Sequence, residues 1–386
     1  MTVSKRRAGI VLAAGCIVGL AGIALTFFVS GAERFWMNWN IWFVFLLTAG
    51  LGCMFIVALE HVVGARWSVP LRRIPERLSG LTLLMIPAAL VALFSLPELY
   101  PWTRPESLDN PMVAGKAVWL NIPFFSVRVA ACLILWALSY WIFVKGSIRQ
   151  DRSGDPRFTL RVRRFAPLFM FLFGITLTVV AFDWISSLDP LWYSDIFGVY
   201  LFAGTFLAGL AVTTLTILYL KRRGRLPDVK PDHLYSLGGF LFAFIVFWSY
   251  IGFAQYLLMW YANIPEEVVW YRERLSGEWG AIILAMAVFH FVVPFFILMA
   301  QDAKRDPRFL SAAAILILFF HLLDLYWMMY PALARRAYFG SFGWQELSFA
   351  VLFISAALLW IRRSMKLGED MPVGDPMLRE GLEFHL

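Results

Sequence analysis

Two histidines and one aspartate lie deep inside long apolar stretches of the sequence. His290, His321 and Asp324 are each surrounded by Leu, Phe and Val residues. If these stretches are helices, a rise of about 1.5 Å per residue places the two histidines at a similar depth. His321 and Asp324 are three residues apart and would share one helix face. A carboxylate that accepts a hydrogen bond from an imidazole fixes its tautomer. The pair therefore predicts a site that takes up or passes on protons.

Six further polar residues lie inside or at the ends of apolar stretches. Charged groups are costly in apolar surroundings and are therefore functional candidates by default. They are Arg128 and Asp183, Glu60 and His61, and Gln255 with Tyr250. Together with the first three residues they would place polar groups at several depths. We interpret this as a quinol or proton-relay site, with Glu60 and His61 at the inner end of a proton route.

Structural interpretations of the same residues stay open. A single buried histidine is often only a hydrogen-bonding group between helices. Arg128 and Asp183 also fit an ion pair that holds a helix bundle together. Glu60 and His61 lie close enough to the end of their stretch to reach water. Asp183 and Glu346 lie near stretch ends, where hydration would account for both.

Motifs for bound metals and for familiar enzyme chemistry are missing from the sequence. The cysteines Cys16, Cys53 and Cys132 form no CxxC pair, so a disulfide framework, a zinc site and an iron–sulfur site are unsupported. A covalently attached haem is excluded because CxxCH does not occur. His290 and His321 could flank a b-type haem, but no second pair exists for transmembrane electron transfer. No Walker A, GxSxG or HExxH motif is present.

The elements that position these residues are apolar helices. Hydrophobic residues make up 60% of the 386 residues and charged residues 16%, against about 45–50% and about 25% in soluble domains. A membrane helix needs about 20 apolar residues, and ten stretches qualify. This predicts an all-α integral membrane protein with ten transmembrane helices. It excludes a secreted domain, a disordered chain and a soluble enzyme with one anchor.

The ten predicted spans differ in regularity. The third is short and contains Pro87. The first is too long for a cleaved signal peptide and is predicted to be a signal anchor. In it, Gly15 and Gly19 form a small-residue face that favours close helix contact. The spans are predicted at 10–29, 41–63, 81–96, 118–144, 165–185, 196–220, 234–261, 279–300, 309–330 and 344–361.

Basic residues indicate the orientation. Of the 34 Lys and Arg residues, 26 fall on one side of the predicted spans and seven on the other, with Arg128 inside a span. The seven include Arg34, Arg335 and Arg336. The positive-inside rule then places both termini in the cytoplasm. The same rule explains the net charge of +8 without a nucleic-acid partner.

Four segments carry a resemblance to a known family. They are AFDWISSLDPLWYSDIFGVYLFAG at 181–204, GFAQYLLMWYANIPEE at 252–267, DLYW at 324–327 and DPMLREGLEF at 375–384. With these segments the chain resembles, over essentially its full length, the ActF-type subunits of bacterial alternative complex III. Those subunits belong to the NrfD/PsrC-like family of quinol-interacting membrane proteins.

The resemblance implies an architecture and a location. Two four-helix bundles, at 41–185 and 196–330, would follow an N-terminal helix and outer loop at 1–40. A last helix and cytoplasmic tail at 344–386 would complete the chain. The protein would be a multi-pass protein of the bacterial cytoplasmic membrane, in contact with lipids.

The resemblance also implies partners and substrates. The chain would bind no haem or metal itself. The complex oxidises menaquinol or ubiquinol, and electrons pass through a periplasmic iron–sulfur subunit and cytochrome c subunits to a soluble carrier or terminal oxidase. A homologous ActC-like membrane subunit is the expected neighbour. This chain would then contribute to quinol interaction or proton conduction.

Two other functions fit the same sequence. Ten spans with two similar bundles and midplane charges also suit a secondary transporter. A purely structural anchor for periplasmic redox subunits is the third possibility. Neither alternative requires a quinol.

Overall fold

The computed structural model describes residues 2–334, 342–366 and 368–386 of the chain. Throughout these ranges the chain is built from helices and contains no β-strand. Ten of the described helices are long and apolar enough to cross a membrane. The predicted all-α integral membrane fold is therefore confirmed.

We number the membrane-crossing helices as spans 1 to 10. Their bounds are Arg7–Ser30, Ala32–Val63, Arg73–Leu99, Ile122–Ser153, Arg157–Leu188, Phe197–Arg222, Pro231–Ala262, Gly277–Met299, Pro307–Leu333 and Trp344–Ser364. Shorter helices lie between and after them, at Pro111–Ala114, Pro265–Arg274, Gln301–Arg305 and Leu378–Glu383. The number of spans agrees with the ten apolar stretches of the sequence.

Three spans begin eight or more residues earlier than the apolar pattern predicts, and one of them, span 5, starts at Arg157 rather than at residue 165. Span 2 starts at Ala32 rather than at residue 41, so helix replaces the expected outer loop. Only Gly31 separates it from span 1, and its φ of 88° is a backbone conformation that favours glycine. Span 3 starts at Arg73 rather than at residue 81, because Arg73 and Arg77 are paired with carboxylates. A hydropathy score treats an arginine as unfavourable in a membrane helix even when a carboxylate neutralises its charge.

Three spans contain a segment of π-helix. These segments are Trp141–Lys145 in span 4, Ala181–Ile185 in span 5 and Ala287–Val292 in span 8. π-Helical turns are rare and frequently occur at functional sites. The second contains Asp183 and the third His290, so two candidate residues lie on irregular backbone.

The spans form two packed four-helix bundles. Spans 2 to 5 make the first bundle and spans 6 to 9 the second. Span 2 also packs against spans 6 and 9, and most of it is buried. A Cβ atom added to Gly52 of span 2 would lie 2.1 Å from the backbone oxygen of Thr205 of span 6. This close backbone contact joins the two bundles.

Spans 1 and 10 lie outside the bundles and pack against each other. A Cβ atom added to Gly15 would lie 2.4 Å from Ser355 Oγ, and one added to Gly19 would lie 2.6 Å from Leu352 N. The predicted small-residue face of span 1 is therefore confirmed. Its partner is the last span rather than a helix of either bundle.

The ten spans together have two ends, and these ends differ in charge. Gly9 of span 1 lies beside Arg362 of span 10, so the helix ends nearest the chain termini are together. The connections at this end hold most of the Lys and Arg residues. We call it the basic face and the other end the opposite face. Residues 368–386 fold back onto the basic face.

Candidate functional site

Asp324 lies in the second bundle, where two neutral groups hold it. Its Oδ1 accepts a 2.7 Å hydrogen bond from the Tyr200 hydroxyl of span 6. Its Oδ2 accepts a 3.2 Å bond from Nε1 of Trp248 of span 7. The residue is 1% exposed. In the part of the chain that the structure describes, no Lys, Arg or His nitrogen lies within 4.0 Å of its carboxyl oxygens. Asp324 thus has hydrogen bonds but no counter-charge.

His321 is one turn from Asp324 but contacts a different helix. Its Nε2 lies 3.0 Å from Thr48 Oγ1 of span 2, and its Nδ1 has no hydrogen-bond partner among the described residues. The predicted hydrogen-bonded pair of His321 and Asp324 is therefore wrong. Side chains three residues apart point about 60° away from each other around a helix. That angle sends Nε2 of His321 toward span 2 and Asp324 toward spans 6 and 7, while the other side of the His321 ring packs against Gly204 of span 6.

His290 is buried beside the indole that binds Asp324. The centroids of the His290 and Trp248 rings are 4.2 Å apart, with an angle of 35° between the ring planes. Neither imidazole nitrogen has a hydrogen-bond partner within the described ranges. Because Trp248 also donates to Asp324, the structure brings His290 to the Asp324 site through this one side chain.

A cavity of about 270 Å³ adjoins this group, between spans 6, 7, 8 and 9. Gln255 lines it, and its buried Oε1 has no hydrogen-bond partner in the described chain. Tyr200 both lines the cavity and donates to Asp324, so it connects the two. The walls are mainly aromatic and are formed by Tyr200, Trp248, Phe253, Tyr256, Tyr271, Phe291 and Trp327.

The cavity has a polar side and an open side. Tyr271 comes from the helix Pro265–Arg274 on the opposite face, and burial raises the pKa of its hydroxyl, which therefore stays protonated and able to donate. Phe253 is 61% exposed at the surface of the spans. The cavity therefore reaches the surface that lipid would cover, and its buried end lies at Tyr200 and Trp248.

Tyr250 does not belong to this site. It is 65% exposed and does not line the cavity. Five helical residues separate it from Gln255, which turns the two side chains about 140° apart. The structure therefore corrects the sequence prediction for Tyr250 and keeps Gln255 at the cavity wall.

Arg128 and Asp183 form a buried ion pair in the first bundle. Arg128 Nε donates to Asp183 Oδ2 at 2.7 Å, and its second terminal nitrogen donates to Oδ1 at 3.0 Å. Trp119 Nε1 donates to Oδ1 at 2.9 Å, and the guanidinium lies 4.2 Å from the centroid of the Trp119 ring. Asp183 is 0% exposed. The two-point geometry is that of a strong charge-assisted pair, so the structural ion pair is confirmed. The expectation that hydration explains Asp183 is wrong.

Glu60 and His61 lie at the basic-face end of span 2. Glu60 lines a cavity of about 70 Å³ beside Trp67, and its buried Oε2 has no hydrogen-bond partner among the described residues. His61 is buried, whereas Glu60 as a whole is half-buried. The prediction that both reach water is therefore wrong for His61, because the connection to span 3 and the C-terminal tail cover this end of the helix.

Arg72 is the cation near Glu60. Burial alone would lower the pKa of Arg72, but the carboxylates of Asp375, Glu76 and Glu60 outweigh burial and raise it above its ordinary value. The guanidinium therefore stays charged. Its direct contacts are with Asp375 and Glu76.

The sequence reasoning missed a second buried ion pair. Arg34 of span 2 donates to Glu346 of span 10, with N–O distances of 2.9 and 2.8 Å. Asn38 Nδ2 donates to the same carboxylate at 3.0 Å. The expectation that hydration explains Glu346 is wrong, and Arg34 is not a loop residue. The spacing of Arg34 and Asn38, one turn apart, is the signal that could have indicated a polar helix face.

The hydrogen-bond partners of the central residues were also missed. Tyr200, Trp248 and Thr48 each bind a predicted site residue from another span. Tyrosine, tryptophan and threonine are common in membrane helices, so their types alone indicate nothing. Only the packing of spans 2, 6, 7 and 9 selects them.

The candidate residues therefore fall into three places. The first place is the second bundle, where Gln255 lines the cavity, Asp324 and His290 lie behind its wall residues Tyr200 and Trp248, and His321 lies one turn from Asp324. Arg128 and Asp183 lie in the first bundle, and Glu60 and His61 lie at the basic face. Across residues 2–334, 342–366 and 368–386, no three His, Cys, Asp or Glu side chains come together as metal ligands would. The chemistry available at the cavity is hydrogen bonding and proton transfer.

Two comparisons with known proteins identify no relative of this chain. The chain matches no protein-family model, and a search of curated proteins finds no match either. Its function must be argued from the site.

Proposed function

We propose that this chain is a quinol-interacting membrane subunit of a redox complex. The observation that carries the proposal is the aromatic cavity of the second bundle. Tyr200 connects it directly to Asp324, a carboxyl that has no counter-charge among the described residues. The resemblance to alternative complex III subunits at 181–204 and 252–267 supports the same function, because these segments include Tyr200 and Gln255.

The cavity has the features that a quinol head group needs. A flat ring can stack on aromatic side chains, and a volume of about 270 Å³ lies near the lower end of the range for small-molecule pockets. The cavity is open beside Phe253, and the isoprenoid chain of the quinol would extend through this opening into the lipid. Gln255 Oε1 is placed to accept a hydrogen bond from a ring hydroxyl.

Quinol oxidation yields a quinone, two electrons and two protons. In the proposed reaction, Asp324 takes the hydroxyl proton of Tyr200, and Tyr200 is reprotonated by the first quinol hydroxyl. Once Asp324 has passed this proton on, the proton of the second quinol hydroxyl follows the same route. His290 and His321 are nearby sites for onward transfer. The electrons leave to an iron–sulfur subunit and cytochrome c subunits, the partners that the resemblance implies. An ActC-like membrane subunit would complete the complex.

We infer the orientation from the basic face. The positive-inside rule places it in the cytoplasm of a bacterium, which puts the cavity in the periplasmic half of the cytoplasmic membrane. Protons released there would leave on the outer side. The opposite face, which includes the helix Pro265–Arg274, would then face the periplasmic partners.

Photolabelling with a quinone analogue tests the cavity. An azido-quinone bound to the complex in native membranes should label residues of spans 7 and 8 that line it. Ala287→Phe places a large side chain in the cavity wall and should abolish this labelling. Leu284→Phe changes a residue of the same helix that is 66% exposed and does not line the cavity, so labelling should persist. Equal labelling in both variants would rule out the cavity as the quinol site.

Purification from native membranes separates this function from transport. A redox subunit should co-purify with proteins that show c-type haem absorbance. A secondary transporter should purify alone and catalyse uptake in liposomes. A colourless preparation that transports a solute would overturn the proposal.

A further inference from the structure

The C-terminal tail, residues 368–386, is acidic and lies on the basic face. It contains five Asp and Glu residues and one arginine. Asp375 accepts from Arg72, and both side chains are buried. Asp370 accepts from Arg77 at 3.1 Å and from Arg225 at 2.7 Å. These contacts join the tail to spans 3 and 6, so its charge is matched to the surface beneath it.

Uncharged contacts fix the far part of the tail. His233 Nδ1 accepts a 3.0 Å bond from the backbone N–H of Lys230. The neutral ring therefore carries its proton on Nε2, which donates to the Gly381 carbonyl at 2.9 Å. A Cβ atom added to Gly381 would lie 2.6 Å from the backbone oxygen of Arg66. Only a glycine lets the tail approach the surface this closely.

The tail lies over the basic-face end of span 2. Arg72 and Arg163 are the cations within electrostatic range of His61, and the tail holds both, through Asp375 and through the Met377 sulfur. Ser68 lies between Arg66 and Pro70, the two residues against which Gly381 packs, and is 1% exposed. The burial of His61 therefore depends on a segment that follows the last span.

We propose that residues 368–386 form a lid that closes the basic-face approach to Glu60 and His61, with Asp375 as its main anchor. The lid controls whether water and protons from that side reach His61 and, through it, the neighbouring Glu60. This function does not depend on quinol binding at the opposite half of the protein. Its anchoring by ion pairs and by two close glycine contacts, Gly374 against Gln150 and Gly381 against Arg66, makes it separable from the membrane-spanning core.

Cysteine accessibility tests the lid directly. The reporter is Ser68→Cys in a chain whose Cys16, Cys53 and Cys132 are replaced by alanine. A charged maleimide is applied to the detergent-solubilised complex. With an intact tail, labelling should be slow. Asp375→Asn removes the anchor charge, and Gly381→Ala pushes the tail away without changing any charge. Either should accelerate labelling at least tenfold.

Matched controls separate lid opening from misfolding. Glu383→Gln neutralises another tail carboxylate, but its ion pair with Arg379 is exposed, so labelling should stay slow. A second reporter, Ser153→Cys, is exposed on the same face and should label equally in all variants. Fast labelling of residue 68 with the tail intact would overturn the lid. So would slow labelling that persists in Asp375→Asn, Gly381→Ala and a deletion of residues 375–386.

Discussion

Two buried carboxylates, one in each bundle, have opposite electrostatic settings. Asp183 of span 5 faces the guanidinium of Arg128 in two-point geometry, with N–O distances of 2.7 and 3.0 Å. Asp324 of span 9 is as deeply buried but, in the part of the chain that the structure describes, accepts only from Tyr200 and Trp248. Both also accept from an indole N–H, Asp183 from Trp119. The charged partner is therefore the main difference between them.

The difference shows which carboxylate is suited to proton exchange. A proton added to Asp183 would leave Arg128 without its counter-ion in the first bundle. A proton added to Asp324 removes an uncompensated charge from surroundings in which charge is costly. The first site therefore has the properties of a structural ion pair and the second those of a proton acceptor. The two bundles share an architecture without sharing a chemical role.

The largest effect is expected from breaking the ion pair. Arg128→Met leaves Asp183 buried and unpaired, and removal of one partner from a buried pair costs about 3–5 kcal/mol. We expect a corresponding loss in the free energy of unfolding, measured by denaturation of the protein in detergent. In Arg128→Met/Asp183→Asn, the neutral amide can still accept from Trp119. More than half of the lost stability should return, and a double variant as unstable as the single one would contradict the ion-pair interpretation.

The second prediction concerns Asp324→Asn. The amide oxygen can still accept from Tyr200 or Trp248, so we expect the stability to change little. It can no longer take a proton, and loss of a proton-transferring group lowers rates by about a hundredfold or more. The measurement is quinol:cytochrome c turnover of the assembled complex. Asp183→Asn is the control: it should lower stability more than turnover. Full turnover in Asp324→Asn would make the two carboxylates equivalent.

The sequence alone identified the spans and both buried carboxylates of this comparison, but it did not identify the hydrogen-bond partners of Asp324. Apolar length and basic loops were sufficient for ten spans, because both depend on composition. Arg128, Asp183, His290 and Asp324 were found because charge and histidine are rare inside apolar stretches. The partner of Asp324 could not be predicted. Its i,i+3 relation to His321 suggested an imidazole, whereas helix packing supplied a tyrosine and a tryptophan.

Other errors have the same physical origin. Arg34 and Glu346 were assigned to water because each lies near a span end. In the folded chain they neutralise each other across spans 2 and 10, 312 residues apart. Hydropathy cannot detect a charge whose partner is distant in sequence. For the same reason, spans 2 and 3 were predicted to start later in the sequence than they do.

Tyr200→Phe should weaken the connection between the cavity and Asp324. The variant removes the 2.7 Å hydrogen bond and the hydroxyl that would pass the proton. Water can replace part of this path, so we expect a roughly tenfold loss of turnover, about 1.4 kcal/mol of activation free energy. The same assay measures it, and Tyr271→Phe is the matched control from the cavity wall. An equal loss in both would show that Tyr200 only lines the cavity.

A smaller effect is expected at His321. Thr48→Val keeps the shape of the side chain but removes its 3.0 Å contact with Nε2 and the 2.9 Å hydrogen bond that the hydroxyl donates to the Phe45 carbonyl within its own helix. A single neutral hydrogen bond contributes about 1 kcal/mol, so unfolding should be easier by at least that amount. Thr205→Val on span 6 is the matched control, since its buried hydroxyl has no hydrogen-bond partner in the described chain. If Thr205→Val costs as much as Thr48→Val, the His321 contact contributes nothing specific.

The smallest effect is expected for Tyr250→Phe. Its hydroxyl is on the outer surface of span 7, where the side chain is 65% exposed, and exposed substitutions usually change stability by less than about 0.5 kcal/mol. Turnover, photolabelling and unfolding should all match the unmodified protein. Tyr200→Phe makes the same chemical change on span 6, so the two variants differ only in where the hydroxyl points. If Tyr250→Phe lowered turnover as much as Tyr200→Phe, the proton acceptor would not be confined to the Asp324 side of the bundle. The contrast with Asp183 would then lose its functional meaning.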